Sequence, residues 1–510
     1  MAGSDSRANS PQQILQYNVI IRNYAGDTTD LTSMVTQFNI YESIFKRTTS
    51  ADIVVSDAVG FTNRLPIVGD EHLIITYRSA RLKKTITRSF KVYKVGTRKE
   101  GAQRQENYII HAISEYAIFN EMRSIDKSFA SQKTSEAIKN AFANGFRGDV
   151  GGVDGSSILG TKNLYGLKKD DIVESESVTS FIPPGLSPFE CINYLKNECR
   201  HPDTNNNSDY IFFEDVDGFH FTTMKELKDQ KTAEGMRFLL GDQSHVTRDQ
   251  EFDVGNIIVS LSAKKTVDRL QDLGTGMFRN RVAVVDPLTK KYDSRTFIYF
   301  NEFGTLNRIH EFPARTIARN SQYRFIQSST HTRFMAGELN TTALNTSVAP
   351  AFTPRSGERQ FGVLHGDVDN YMDHPYIKNV DKQVLINKDP HTSNPQKGQI
   401  KLGKKISERA ILDNTVLEMV IPGNSDIRPG DMVEVYVPQT TSTKEMQNKF
   451  NLFYGRSDSG KFAPRFLATS IRQTYNNSDQ NFLTAVELMK DTYAQEIEDI
   501  YQRQKESFNN

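Results

Sequence analysis

SPFECINYLKNECRHPDTNNNSDYIFFEDVDGFHFTTMKEL, residues 187–227, holds a helix, a polar loop and a hairpin in one run. Ser187 is placed to cap the helix, Pro188 occupies its first position, and Glu190 at the third completes a capping box. Phe189, Ile192, Leu195 and Cys199 then fall on one face at helical spacing. After the Asn-rich loop, Tyr210-Ile211-Phe212-Phe213 and Phe219-His220-Phe221 read as two strands joined through Asp215-Val216-Asp217-Gly218, where Asp-Gly suits a two-residue turn. A helix followed by a hairpin marks this stretch as α+β, whereas the sequence on either side has strand texture.

Upstream, Tyr17-Asn18-Val19-Ile20-Ile21, Ile53-Val54-Val55, Leu73-Ile74-Ile75, Phe90-Lys91-Val92-Tyr93 and Tyr108-Ile109-Ile110-His111 are short strands at close spacing. Gly, Pro, Asn and Asp divide them, which argues for a β-barrel or sandwich over residues 14–123, with room for a short helix at 30–37. Residues 1–13 read as a flexible tail. Residues 124–245 form the α+β insertion domain, with a helix from Thr134 to Phe142 and a Gly-rich loop at 145–160. Strand texture returns in 246–293, with a helix or turn at 267–273 and a strand Arg281-Val282-Ala283-Val284-Val285-Asp286. It returns again in 395–490, after the helical Ile406-Ser407-Glu408-Arg409-Ala410-Ile411-Leu412. Residues 294–394 form a peripheral domain or long insertion, with an extended loop at 341–360. Residues 491–510 form a C-terminal docking helix striped by Tyr493, Ile497, Ile500 and Tyr501.

At 510 residues the chain exceeds one hydrophobic core. Mean hydropathy is −0.54. Lys plus Arg number 63 against 62 Asp plus Glu, a formal net charge of +1, so no basic footprint for strong nucleic-acid binding exists at chain level. The two cysteines, Cys191 and Cys199, lie eight residues apart on one helix, roughly 12 Å, beyond disulfide reach. That spacing also fits no zinc pattern, and both read as small buried hydrophobes. The polar start does not resemble a signal peptide, and no apolar run approaches the roughly 20 residues needed to cross a bilayer.

Several motifs suggest chemistry and fail on inspection. Gly455-Arg456-Ser457-Asp458-Ser459-Gly460-Lys461 matches the core of a phosphate loop, but Phe462 stands where a Ser or Thr should bind the metal. It reads instead as an exposed hairpin loop. Arg147-Gly148-Asp149 is an adhesion tripeptide in a Gly-rich turn. Asp215 with Glu226 has the outer spacing of a calcium loop, but Phe219-His220-Phe221 offers no oxygen ligands between them. The ten histidines form no HExxH pair, no Gly-x-Ser-x-Gly elbow occurs, and carboxylate pairs are expected by chance.

Three separated segments together resemble one family. They are the helix–hairpin above; Phe38-Asn39-Ile40-Tyr41-Glu42-Ser43-Ile44-Phe45 with Ala51-Asp52-Ile53-Val54-Val55-Ser56-Asp57 and Leu65-Pro66-Ile67-Val68-Gly69-Asp70-Glu71; and Ile421-Pro422-Gly423-Asn424 with Ile427-Arg428-Pro429-Gly430-Asp431, followed by Phe466-Leu467-Ala468-Thr469-Ser470-Ile471-Arg472. In this order they resemble the baseplate central hub proteins of contractile-tailed bacteriophages of the T-even type. The resemblance implies an α+β, β-rich fold with two similar β-barrel tube domains, 14–123 and 246–293 with 395–490, plus the insertion domain and terminal helix. It implies a homotrimer that adapts a threefold central spike to a sixfold tail tube. Tail tube, spike, tape-measure and baseplate wedge proteins would be its partners, and DNA would pass through the channel without specific binding. It further implies a virion protein assembled in the host cytoplasm, with no membrane association, cofactor, metal or catalytic residue. The residues expected at the ring or tube interface are Phe38, Ile40, Glu42, Ile44, Ile53, Val55, Ile427, Arg428, Asp431, Val433, Val435, Phe466, Ile471 and Arg472. The alternatives are a tail-tip glycan hydrolase and a host-receptor-binding module.

Overall fold

The computed structural model describes residues 14–23, 25–61, 67–79, 85–100, 105–146, 163–167, 170–202, 209–233, 235–240, 254–265, 268, 271–272, 275–286, 291–313, 330–336, 358–361, 395–437 and 465–493. The expected tail at 1–13, the phosphate-loop match at 455–462, the tripeptide at 147–149 and residues 494–510 of the expected terminal helix lie outside them. So do parts of the loops expected at 145–160 and 341–360 and of the helix or turn expected at 267–273. The start of the expected terminal helix is not helical, since Thr492–Tyr493 form a strand paired with Phe312–Pro313.

The chain is β-rich with few helices, and its sheets are mixed. The first unit contains β1 (Ile14–Arg22), β2 (Thr28–Asp30), β3 (Val35–Ser43), β4 (Ser50–Asp57), β5 (His72–Ser79), β6 (Ile86–Glu100) and β7 (Glu106–Ile113). β4 and β5 alternate strictly between buried and half-buried positions, so their period-2 apolar residues all face one core. The 30–37 segment is not helical: β2 ends at Asp30, a turn follows, and β3 starts at Val35. Its polar side chains favour the turn. The Asp30 carboxylate accepts the Thr32 amide at 2.8 Å, and the Thr32 hydroxyl accepts the Val19 amide at 2.9 Å.

The insertion region runs through α1 (Glu115–Met122), β8 (Phe129–Lys133), α2 (Thr134–Phe146), β9 (Leu164–Tyr165), β10 (Val178–Phe181), α3 (Pro188–Glu198), β11 (Tyr210–Glu214), β12 (Phe219–Thr223) and α4 (Met224–Asp229). The capping box of α3 forms, with Glu190 accepting the Ser187 amide at 3.3 Å. Phe189, Ile192 and Leu195 enter a core with Phe142, Phe146, Phe212 and Phe219, and both cysteines are buried there as free thiols. A side chain at Gly145 would come within 2.6 Å of Pro188, so glycine sets the close approach of α2 to α3. The β11–β12 hairpin turns as expected but by different means. Asp215 Oδ1 accepts the amides of Asp217 and Gly218 at 2.7 and 3.0 Å, and Gly218 does not adopt positive φ. Gly218 is needed because a Cβ there would meet the Asn163 carbonyl at 2.8 Å.

Beyond it lie β13 (Arg237–Leu240), β14 (Ile257–Ile258), β15 (Ser260–Lys265), β16 (Arg279–Asp286), β17 (Lys291–Ile298), α5 (Tyr299–Glu302), β18 (Phe312–Pro313), β19 (Thr330–Ala336) and β20 (Glu358–Phe361). These are followed by α6 (Pro395–Leu412), β21 (Thr415–Pro422), β22 (Met432–Tyr436), β23 (Arg465–Asn476), β24 (Asn481–Lys490) and β25 (Thr492–Tyr493). Two placements differ from the sequence reading. β13, read as part of the insertion domain, joins β22 in the second unit, where Phe238 is fully buried. β16, read as part of the second unit, pairs instead in a separate sheet of order β17-β16-β19-β20, covered by α6. α6 approaches that sheet closely at Gly403, where a Cβ would lie 2.9 Å from Phe297, and Asn280 Nδ2 donates to the Gly403 carbonyl at 3.0 Å.

The two strand-rich units share one sheet. Its order is β14-β13-β22-β23-β3-β4-β7-β6-β5-β1-β2, with β24, β21 and β15 branching from β23. β3 and β23 pair antiparallel from Ser43↔Ser470 to Gln37↔Asn476. Neither unit closes a ring of strand pairs among the described residues, which departs from the closed barrels expected. The sheet curls instead: Tyr17 of β1 meets Tyr475 of β23 with ring centroids 4.7 Å apart, across the open seam of the first unit. Tyr475 and Phe482, from the far end of the chain, thus complete the first core. Phe482 also covers Gly423, where a Cβ would come within 1.8 Å of the ring. Gly423→Ala should therefore lose about 1–3 kcal/mol by overpacking, measured as a fall in the denaturant midpoint at unchanged m-value.

Candidate assembly interface

The turn 428–431 is built as its residues dictate. Pro429 and Gly430, with φ +95°, occupy the central positions of a type II turn. Asp431 closes it by accepting the Arg428 amide at 2.8 Å. Gly430 donates to the Ala468 carbonyl at 2.7 Å, and Ala468 donates to the Asp431 carbonyl at 2.9 Å, which fixes β22 against β23. On the other side, Arg428 reaches Asp217 of the hairpin turn at 3.9 Å.

Of the residues expected at a ring interface, Phe38, Ile40, Ile44, Ile53, Val55, Ile427, Val433, Val435, Phe466, Ile471 and Glu42 are all buried inside the single chain. Arg428 and Asp431 reach the surface in part and Arg472 is exposed; it lies over Tyr41 and donates to Asn39 Oδ1 at 3.0 and 3.2 Å. The strands themselves are also consumed internally. β3 lies between β4 and β23, and β22 between β13 and β23. The unpaired strand edges are elsewhere. Among the described residues β2 pairs only with β1 and β15 only with β21, so each keeps one unpaired edge. By contrast β14, one residue before β15, lies between β13 and β21, the Val259 amide donating to the Val420 carbonyl at 2.8 Å. Val259, half exposed, sits beside the β15 edge, which carries Lys264 and Lys265.

Charged groups join the three regions. Arg88 of β6 and Glu42 of β3 form a 2.5 Å ion pair with side-chain exposures of 4% and 2%. Tyr77 donates to Gln473 beside them, and burial pushes its phenol up to about 12. Glu214, at the end of β11, accepts the Thr49 amide at 2.8 Å and the Ser114 hydroxyl at 2.7 Å, clamping the hairpin onto the first unit. On the far side Lys228 of α4 pairs with Asp491 at 2.8 Å, both buried, and Asp491 accepts the Ile309 amide at 3.1 Å.

His220 of β12 is held between Asp215 Oδ2 at 2.9 Å and the Gly166 carbonyl at 2.8 Å from Nδ1, with its ring stacked on Phe213. Both ring nitrogens face acceptors, so the imidazolium fits the site best. Burial opposes that charge, but the Asp215 carboxylate outweighs it and raises the His220 pKa, while Asp215 itself is lowered despite its burial. The raised histidine contributes stability that is full below its ordinary value of 6.5 and fades as pH rises through the folded value. The depressed carboxylate contributes stability present above 3.8 and lost as pH falls. His220→Gln should cost about 1–3 kcal/mol near pH 6 and flatten the decline in stability above that pH, read by denaturant unfolding across a pH series. Among the described residues no three His, Cys, Asp or Glu side chains gather as metal ligands, and no helix is long and apolar enough to cross a membrane.

No protein-family model matches the chain, and no curated protein sequence matches it. Among solved structures it is similar to the tail protein of Neisseria meningitidis, with 8% identity over 93% of this chain and 97% of that one and a TM-score of 0.47. It is similar also to the 43 kDa tail protein of prophage MuSo2 from Shewanella oneidensis, with 10% identity, coverage of 93% and 99%, and a TM-score of 0.47. A Francisella PdpA–VgrG complex gives 8% identity, coverage of 94% and 59%, and a TM-score of 0.37.

Proposed function

We propose that this chain is a structural hub protein of a phage tail baseplate, three copies of which form a ring around a channel. The observation that carries this reading is the β3–β23 junction. It fuses two strand-built units into one sheet that keeps an unpaired edge in each unit, at β2 in the first and at β15 in the second. A sheet of that kind is completed by joining one edge to the other edge of the next copy, a heterologous contact that closes when the rotation per copy divides the circle. Three copies then present six units, the arrangement needed between a threefold spike and a sixfold tail tube. Tail tube, spike, tape-measure and wedge proteins are the partners in this reading. DNA crosses without specific contacts, in line with a net charge of +1. The role is architectural, located in the virion and assembled in the host cytoplasm, and the protein has no lytic activity on purified cell walls.

Sedimentation tests it. The expected mass is three times 57.8 kDa, with particle images showing threefold symmetry and a central opening. A monodisperse monomer at working concentration overturns the reading. Val259→Asp, at the β15 edge, should dissociate the ring while leaving the melting temperature of the protomer unchanged.

A further inference from the structure

A cavity of about 400 Å³ opens where the turn after β3, helix α3, strand β11 and the end of α6 meet. Its charged lining is unbalanced. Asp209 is already taken by Arg409, whose Nε lies 2.9 and 3.1 Å and Nη2 2.5 Å from the carboxylate, and Lys405 stands 3.9 Å away. These cations hold the Asp209 carboxyl below its ordinary value despite complete burial. Asp413 is held by Lys265 at 2.9 Å. Lys196 and Arg47 complete the lining, and among the described residues neither has an ion-pair partner. Burial and the neighbouring Arg409 push Lys196 down to about 8, so the site is short of negative charge. Ile44, Ile211, Phe212, Met224, Leu412 and Met489 give the cavity its apolar lining beside the polar Asn193, and Phe45 stands exposed at its lip.

We propose that this cavity docks an acidic peptide segment of a partner protein, a carboxylate meeting Lys196 and Arg47 while an adjoining bulky apolar side chain fills the floor. A free phosphate would satisfy the cations and leave the apolar surface unfilled, and an uncharged apolar segment would leave Lys196 desolvated without a counter-charge. The combination of both surfaces therefore selects an amphiphilic acid. The inference is independent of the ring, since none of these residues lies on a free sheet edge.

The test uses the full chain and a fluorescein-labelled peptide of sequence Gly-Leu-Asp-Phe-Glu-Leu, beside its amide isostere Gly-Leu-Asn-Phe-Gln-Leu, read by fluorescence polarisation. The acidic peptide should bind at least about tenfold more tightly than the amide, the scale of one charge-assisted contact. Lys196→Met and Arg47→Met should each weaken it about tenfold, and Lys196→Arg should restore it. Arg47 is exposed, so its variant keeps the native melting temperature and carries the test even where Lys196→Met unfolds. Equal binding of the two peptides, no binding of either, or complete displacement by inorganic phosphate overturns the proposal. A changed sedimentation mass in Arg47→Met also overturns it, because the occupant would then be a second copy of this chain.

Discussion

Phe482→Ala should cost about 3–5 kcal/mol in unfolding free energy, the range for a large aromatic removed from a closed core. Phe482 lies on β24, yet its ring is fully buried in the first unit's core, 5.5 Å from Tyr77, and it covers Gly423 of the second. Its loss therefore opens a void at the joint of both units. Denaturant unfolding should keep one cooperative transition at a lower midpoint, because β3 and β23 still pair. The Gly423→Ala penalty should largely vanish in the Phe482→Ala background, a coupling that a double-mutant cycle measures directly. A loss below about 1 kcal/mol would mean that the ring does not bridge the two units.

Arg88→Met should be as damaging, about 3–5 kcal/mol, because it strands the Glu42 carboxylate in the interior. Both side chains point into the first unit where its apolar residues give way to Tyr77 and Gln473. Burial alone would disfavour the guanidinium charge, yet Glu42, with Tyr77, raises the Arg88 pKa above its ordinary value. The pair is thus held by its mutual contact and not by solvent. Arg88→Met combined with Glu42→Gln should recover most of the loss, since the buried charge is then gone. If the double variant is no more stable than the single one, the pair does not act as a unit.

Local structure was largely legible in the sequence. The Ser187–Glu190 box, the helical spacing of Phe189, Ile192 and Leu195, and the alternation in β4 and β5 each depend on neighbours within a few residues, and each forms. Partner choice was not legible. The apolar residues of Val35–Ser43 mark a buried strand, but not that its partner lies more than 400 residues away. The same limit explains the interface residues. Phe38, Ile53 and Val433 lie on strands that the resemblance assigns to the tube domains, but their apolar character marks a core before it marks a contact with another chain. Arg472 carried a usable signal, a cation placed between inward-facing residues on its strand. The cavity around Lys196 had none, because Arg47, Lys196, Asp209 and Arg409 are brought together only by tertiary folding.

The late arrival of Tyr475 and Phe482 has a bearing on biosynthesis. Asn39 and Arg472, bonded neighbours across the joint, are 433 residues apart, so at about 5–20 residues per second a ribosome needs roughly 20–90 s to produce the second after the first. Through that interval the emerging amino-terminal portion has an uncovered β3 edge and an unsealed interior. It would depend on chaperone shelter until translation is nearly finished.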